Sequence, residues 1–274
     1  MRINGNLVRL GKRPVHVSHD RRKDSRILQF SKYRIAREPG LPPVPVTEAS
    51  WITKLVAGAT LGMYLNDQIG DCVEAAAAHM IQQWTYYAGD AKTVTDADVV
   101  KAYSDVGGYV PGDPSTDNGT DMFSFLQYWQ NTGLGGHKII HFLAVNWQEP
   151  SEVQDAIQLF GNLYTGLGLP TSAQGQNDWT VPDGGIYGPA GQPYGWGGHC
   201  VPFVASSPIT ETCETWGTTL KASKNFFHDY VDEAFVVLSQ DWISANGLSP
   251  SLLNLPLLES DLNELGVRWT KPKR

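Results

Sequence analysis

The segment 66–72, with the sequence NDQIGDC, constrains this chain more than any other feature because an alanine-rich stretch follows it at once. The spacing of the apolar residues after it predicts a helix that begins at Cys72, has Asp71 as its N-cap and ends at Gly89. A thiol at a helix N-terminus meets unpaired backbone N–H groups and the positive end of the helix dipole, and both favour the thiolate. The segment therefore predicts a nucleophilic cysteine, provided that the fold brings a histidine to it.

The turn before Cys72 also supplies amide side chains. Asn66 lies six residues before the cysteine and Gln68 lies four before it. Either amide could donate a hydrogen bond to an oxyanion that forms at the cysteine, and the sequence leaves both candidates open. Gly70, within the same turn, is expected to border the substrate cleft.

His199 is the best candidate for the partner of Cys72. It follows the glycine-rich loop 170–198, whose last residue, Gly198, is expected to border the substrate cleft, and it directly precedes an apolar strand. The segment Glu214-Thr215-Trp216-Gly217 comes about fifteen residues later, on the predicted partner strand of a hairpin. Such pairing brings a carboxylate or a hydroxyl beside the imidazole, together with the indole of Trp216.

The remaining histidines are less suited to this chemistry. His79 shares the helix face of Cys72 but lies roughly 10 Å along the axis, so it is expected to pack beneath the site. His137 and His141 are separated as in a metal site on a helix, but they lie in a strand-like stretch where four residues span about 13 Å. We therefore expect no metal and no cofactor. Three cysteines, Cys200 and Cys213 among them, argue against a disulfide framework.

The apolar patterns divide the chain into four parts. Residues 1–45 form an extended basic arm, 46–140 a helical lobe, 141–242 a β-rich lobe, and 243–274 a peripheral tail. Besides the helix at Cys72, helices are predicted to begin at Thr95, Thr120 and Ser151. Strands are predicted over 138–145, 163–169, 199–206, 212–216 and 230–239.

The charge distribution is uneven. Residues 1–40 contain eleven lysines and arginines against three acidic residues, whereas the whole chain has a net charge of -7. Such a split favours docking of the arm on the acidic body over an external anionic partner, and it leaves self-association or contacts within a virus particle as further possibilities. Nucleic acid is not the expected partner. The sequence contains no apolar run of the roughly 18 residues that a membrane span needs and no signal peptide, which predicts a cytoplasmic or virion-associated protein.

Together these motifs resemble the papain-like (clan CA) cysteine peptidases. The order of a helix-borne cysteine, a histidine before a strand and a polar residue two before Trp-Gly is the order of that family. GGHCVPFVA resembles its histidine strand, ETWGTTL its Asn-Ser-Trp-Gly segment, and FHDYVDEAFVVLS its closing strand. The resemblance covers residues 42–240, and the form NDQIGDC followed by AAAAH is also similar to divergent phage and bacterial proteins.

This resemblance implies an α+β fold with two lobes, one carrying the cysteine helix and the other the histidine. It implies that Cys72 is the nucleophile and His199 the general base for hydrolysis of a peptide or amide bond in a peptide or protein substrate. Glu214 stands in place of the family's orienting asparagine, and Trp216 shields the histidine. Because Asp71 and Glu74 flank the cysteine with negative charge, a second interpretation stays open: an inactive papain-like module that assembles into a virus particle.

Overall fold

A computed structural model describes residues 2–3, 6–7, 13, 22, 24, 27–33, 49–239, 241–242 and 255–264. The helices of this part of the chain are α1 (Thr53–Gly58), α2 (Cys72–Tyr87), α3 (Asp96–Gly107), α4 (Met122–Asn131), α5 (Pro150–Phe160), α6 (Lys224–Tyr230) and α7 (Leu255–Glu264). The strands are β1 (Arg2–Ile3), β2 (Asn6–Leu7), β3 (Ala49–Ser50), β4 (Ile139–Ala144), β5 (Leu163–Leu169), β6 (Gly197–Ser206), β7 (Thr210–Thr215), β8 (Thr218–Ser223) and β9 (Val231–Ser239).

One antiparallel sheet organises the second half of the chain. Its strands follow the order β4-β9-β5-β6-β7-β8, and β3 pairs with the last two residues of β6. Strand β6 is central because its first half pairs with β5 and its second half with β7. His199, the third residue of this strand, lies opposite Leu167 of β5, so the pairing with β5 fixes its backbone.

The two faces of the sheet contribute to two separate hydrophobic cores. Along β9, Phe235 and Val237 pack with α2 and α4, whereas Val236 and Leu238 pack with α5 and α6. This alternation follows from the two-residue period of a strand. The sheet therefore joins a helical lobe on one side to a β-rich lobe on the other.

Helix α2 lies almost wholly inside the protein, and every residue from Cys72 to Thr85 is buried. The four alanines at 75–78 keep the helix thin, so that it can lie close to the sheet. Two hydrogen bonds fix the helix against the β-rich lobe: the hydroxyl of Tyr164 donates to the carbonyl of Val73 at 2.7 Å, and the indole of Trp84 donates to the carbonyl of Phe160 at 2.9 Å. These contacts determine where Cys72 lies.

Most of the predicted elements are present, and a few boundaries differ. Helix α2 begins at Cys72 as expected, and Thr95 and Asp98 form a capping box at the start of α3. Helix α4 has Asp121 rather than Thr120 as its N-cap, because the Asp121 carboxylate accepts from the Ser124 N–H. Helix α5 begins at Pro150, which is favoured at a first helical position, and Ser151 is not its cap.

The sequence did not indicate strand β8 or the short helix α6, and it placed a boundary between lobes at residue 140, inside β4. The four-part division of the chain remains a prediction, and most of the arm lies outside the described residues. In the predicted tail, Asp261 of α7 accepts hydrogen bonds from Lys32 and Tyr33. None of the helices in the described ranges is long and apolar enough to cross a membrane.

The capping box of α3 provides a test of the helical lobe. Replacing Thr95 by alanine removes the hydroxyl that accepts from the Asp98 N–H, so we expect the free energy of unfolding to fall by about 1 kcal/mol. Urea denaturation monitored by tryptophan fluorescence measures this change. Thr93→Ala, at an exposed position just before the helix, is the matched control and should change stability by less than about 0.5 kcal/mol. Equal losses in the two variants would contradict the capping assignment.

Candidate active site

Cys72 is the first residue of α2 and is only 1 % exposed. Its N-cap, Asp71, gives no side-chain hydrogen bond to the helix; its carboxylate instead accepts from the Asn66 amide at 2.9 Å. The backbone N–H of Cys200 bonds toward the Cys72 sulfur and favours its thiolate. Since Cys200 directly follows His199, the sequence-predicted nucleophile lies beside the strand segment that carries the predicted base.

His199 is fully buried near the start of β6, and two neighbours fix its ring. The Nε2 atom lies 3.0 Å from the Thr215 hydroxyl, and the indole of Trp216 stacks on the ring with centroids 4.6 Å apart. Within the described residues, the other ring nitrogen, Nδ1, has no hydrogen-bond partner. The imidazole is thus oriented through Nε2, and Nδ1 is the nitrogen available for proton transfer.

Trp216 takes this position because the chain turns sharply between β7 and β8. Trp216 and Gly217 have φ angles of 49° and 67°, in the left-handed region. A Cβ at position 217 would also come within 3.3 Å of the carbonyl of Leu61, so a glycine suits the turn on both counts. The Trp-Gly pair noticed in the sequence is therefore a structural requirement for the shielding indole.

Thr215, and not Glu214, lies against the histidine. Adjacent side chains of a strand point to opposite faces, and the carboxylate of Glu214 extends toward α2, where its Oε1 lies 2.8 Å from Nδ1 of His79. His79 also packs edge-on against Tyr64, beneath the site. Of the carboxylate and the hydroxyl that the sequence offered, the structure thus places the hydroxyl beside His199.

The turn before Cys72 is anchored from the loop after α3. The carboxylate of Asp117 accepts from the Gly70 N–H and from the Tyr103 hydroxyl, both at 2.8 Å, and the Gly119 N–H donates to the same hydroxyl. Asn66 is buried in this turn, whereas the side chain of Gln68 is exposed. The bond to Asp71 occupies one N–H of the Asn66 amide, so both oxyanion candidates remain predictions.

Burial dominates the electrostatics of the site. It raises the pKa of Cys72, and the negative charges of Glu74 and Asp71 act in the same direction. It lowers the pKa of His199 to about 3, assisted by the positive charge of Arg13 and by His79. The same cause raises the pKa of Glu74 to about 8. In this structure the thiol and the imidazole are therefore both held in their neutral forms.

One residue of the basic arm reaches the site, which the sequence did not predict. Arg13 is buried, and its guanidinium forms ion pairs with Asp232 and Glu233 at the start of β9. The charge surplus of the arm indicated an acidic docking surface but not which carboxylates form it. Arg13 also lies over Gly198, since a Cβ there would come within 2.8 Å of the Arg13 carbonyl oxygen.

The remaining polar candidates take other positions. His137 contacts Asp241 at 2.8 Å, and His141 contacts the amide of Gln130 at 3.2 Å. Cys213 lies opposite Phe203 rather than Cys200, and the three cysteines are free thiols. No group of three or more metal-ligating side chains occurs among the residues that the structure describes.

The fold is similar to those of solved cysteine proteases. Xylellain from Xylella fastidiosa matches with a TM-score of 0.60 and 12% identity, over 84% of this chain and 96% of that one. The ragweed pollen allergen Amb a 11 in its proform gives 0.52 and 13%, over 76% and 71% of the two chains. The Carica candamarcensis protease CMS1MS2, solved with E-64, gives 0.51 and 12%, over 73% and 99%.

No protein-family model matches the sequence, and neither does any curated protein sequence. At these low identities the structural similarity defines the fold alone. The chain has a papain-like α+β fold, with the helix of Cys72 against the sheet of His199. The similarities do not bear on the resemblance to phage proteins.

The buried carboxyl of Glu74 predicts a pH-dependent stability. Between pH 4.5 and about 8 the folded protein keeps a proton on Glu74 that the unfolded chain has released, so this group makes the protein less stable as the pH rises. Glu74→Gln removes the penalty, and we expect it to raise the free energy of unfolding at pH 8 by about 1 kcal/mol or more, with little gain at pH 5.

Urea denaturation at the two pH values measures the effect of Glu74→Gln. Glu149→Gln, the same substitution at an exposed position, is the control and should give equal stability changes at both pH values. A gain that does not depend on pH would show that Glu74 does not titrate as its burial requires.

Proposed function

We propose that the protein is a cysteine peptidase or amidase that hydrolyses a peptide or amide bond in a peptide or protein substrate. Cys72 is the nucleophile, His199 the general base, Thr215 the residue that orients the base, and Trp216 its shield. The observation that carries this proposal is the setting of His199: Nε2 faces Thr215, Trp216 covers the ring, and Nδ1 stays available. In a purely structural buried histidine, both ring nitrogens would be expected to have hydrogen-bond partners.

In the proposed reaction, His199 Nδ1 takes the proton of the Cys72 thiol, and the thiolate attacks the substrate carbonyl carbon. The resulting oxyanion is stabilised by backbone N–H groups of the first turn of α2, with Asn66 or Gln68 as the second donor. His199 then gives its proton to the leaving amine, and a water molecule hydrolyses the thioester. Thr215 holds the ring in place throughout.

The burial of the site favours a second candidate. Cys72 and His199 are both inaccessible, and their pKa shifts disfavour the thiolate and the imidazolium. A papain-like module that does not hydrolyse, with its arm as a contact for an assembly partner, would tolerate this arrangement. The peptidase instead requires that substrate or displacement of the arm open the site, because solvation favours both charged forms.

Selective alkylation separates the two candidates. In the full-length Arg13→Ala variant, where displacement of the arm is expected to open the site, iodoacetamide near pH 6 should modify Cys72 at least about tenfold faster than Cys200 or Cys213, since only a paired thiolate reacts quickly at that pH. The wild-type chain, in which Arg13 is seated, should be labelled at Cys72 more slowly than the variant. Peptide mapping by mass spectrometry measures the rates, and casein hydrolysis measures the activity.

Cys72→Ser and His199→Ala should abolish hydrolysis, whereas His228→Ala, at an exposed histidine, should retain it. Equally slow labelling of all three thiols without hydrolysis would favour the inactive module.

The orientation of the base is tested at two adjacent residues. Thr215→Ala removes the hydroxyl that contacts His199, and we expect kcat to fall about tenfold, the equivalent of one lost hydrogen bond. Thr215→Ser keeps the hydroxyl and should restore most of the rate. Glu214→Gln should change kcat less than Thr215→Ala, because that carboxylate contacts His79. A larger loss in the Glu214 variant would assign the orienting role to the carboxylate.

A further inference from the structure

The ion pairs of Arg13 describe a pocket as well as a contact. A guanidinium within a protein is expensive unless its charge is neutralised and its N–H groups are bonded. Here one terminal nitrogen donates to Glu233 and the other to Asp232, and the side chain of Arg13 has no exposed surface. Two acceptors spread across the fork match an arginine, whereas the point charge of a lysine could not meet both in the same way.

The walls of this pocket leave room for a whole arginine residue. Gly166, Gly168 and Gly198 form a glycine trough on β5 and β6, where Gly168 lies opposite Gly198. A Cβ at position 166 would come within 2.4 Å of the Arg13 guanidinium, and one at 198 within 2.9 Å of the Arg13 Cβ. A side chain at position 198 would therefore clash with the backbone of Arg13, and one at position 166 would force its guanidinium to shift.

Two further side chains complete the pocket. Met122, the first residue of α4, approaches the guanidinium with its sulfur at 3.9 Å, and the hydroxyl of Tyr194 contacts both Arg13 and Asp232. The ring of Tyr194 rests on Gly168, where a Cβ would lie within 2.8 Å of it. The pocket is thus formed by both lobes, since Met122 belongs to the helical core and Glu233 to the sheet.

The pocket lies directly beside the candidate catalytic residues. The backbone of Arg13 passes over Gly198, next to His199. The positive charge of the Arg13 guanidinium lowers the pKa values of both Cys72 and His199. A peptide whose arginine enters this pocket would consequently run past the nucleophile. In this structure the guanidinium of Arg13 forms ion pairs with both carboxylates, those of Asp232 and Glu233, so the pocket is suited to a cationic fork.

We propose that Asp232, Glu233, Tyr194 and the glycine trough form a specificity pocket for an arginine side chain of the substrate, and that Arg13 of the arm occupies it in this structure. This inference depends on the proposed function in one respect only, namely that the bound arginine belongs to a substrate. Binding of arginine by the pocket can be measured in the absence of any hydrolysis.

Rescue of an emptied pocket is the first test. In the full-length Arg13→Ala variant, N-acetyl-L-arginine methylamide at millimolar concentration should raise the melting temperature by several degrees, because it binds the folded state alone. The corresponding lysine amide should stabilise the variant less, and the uncharged citrulline amide should have no effect. Wild-type protein, whose pocket is filled, and Arg13→Ala/Glu233→Gln should not respond. No shift with the arginine amide, or an equal shift with citrulline, would overturn the proposal.

Substrate preference is the second test, and it also serves if Arg13→Ala fails to fold. In Arg13→Gln, peptides that contain one arginine should be hydrolysed with a kcat/KM at least about tenfold above matched peptides with glutamine there, and Glu233→Gln should abolish the difference. Hydrolysis with no preference for arginine would overturn the pocket but not the peptidase. Binding of the arginine amide without any hydrolysis would support the pocket and contradict the peptidase.

Discussion

The close packing of α2 on strand β6 is the interaction on which the site depends. Alanines at 75–78 let the helix lie near the sheet, and the hydroxyl of Tyr164 ties its first turn to β5. Because the helix begins at Cys72, this packing places the thiol at the backbone of Cys200 and therefore next to His199. A larger side chain in the alanine run would move the nucleophile as well as the helix, since a filled core transmits strain.

Several neighbours of Cys72 act in opposite directions on the equilibrium between its thiol and its thiolate. The N–H of Cys200 and the charge of Arg13 favour the thiolate, whereas burial, Glu74 and Asp71 disfavour it. Burial is the largest of these, and it also keeps His199 neutral. Solvent access is consequently the property that most changes the chemistry available here, more than any single neighbouring charge. Burial also raises the pKa values of Asp71 and Glu74, which favours their neutral forms and weakens their repulsion of a thiolate at Cys72.

Much of the fold could be predicted because it is written in local patterns. The helix at Cys72 and the strand at His199 follow from apolar periodicity and from the turns before them, and the structural similarity confirms the papain-like arrangement. Thr215 could not be separated from Glu214, because the choice depends on the pairing of β6 with β7, which shifts register between Phe203 and Ala205. A shift of one residue exchanges the two faces of a strand. Helix α6 escaped prediction since seven residues are too few to display a helical period.

The two acidic partners of Arg13, Asp232 and Glu233, lie 219 and 220 residues further along the chain. Contacts between such distant segments form late, because the intervening chain must first close into a loop, and the strand that carries Asp232 and Glu233 is the last of the sheet to be synthesised. While the ribosome extends the chain, the arm can find no counter-charge at β9. Arg13 can therefore enter the pocket beside His199 only after β9 has been synthesised. Binding of the arm in this pocket consequently requires that all strands of the sheet are already present.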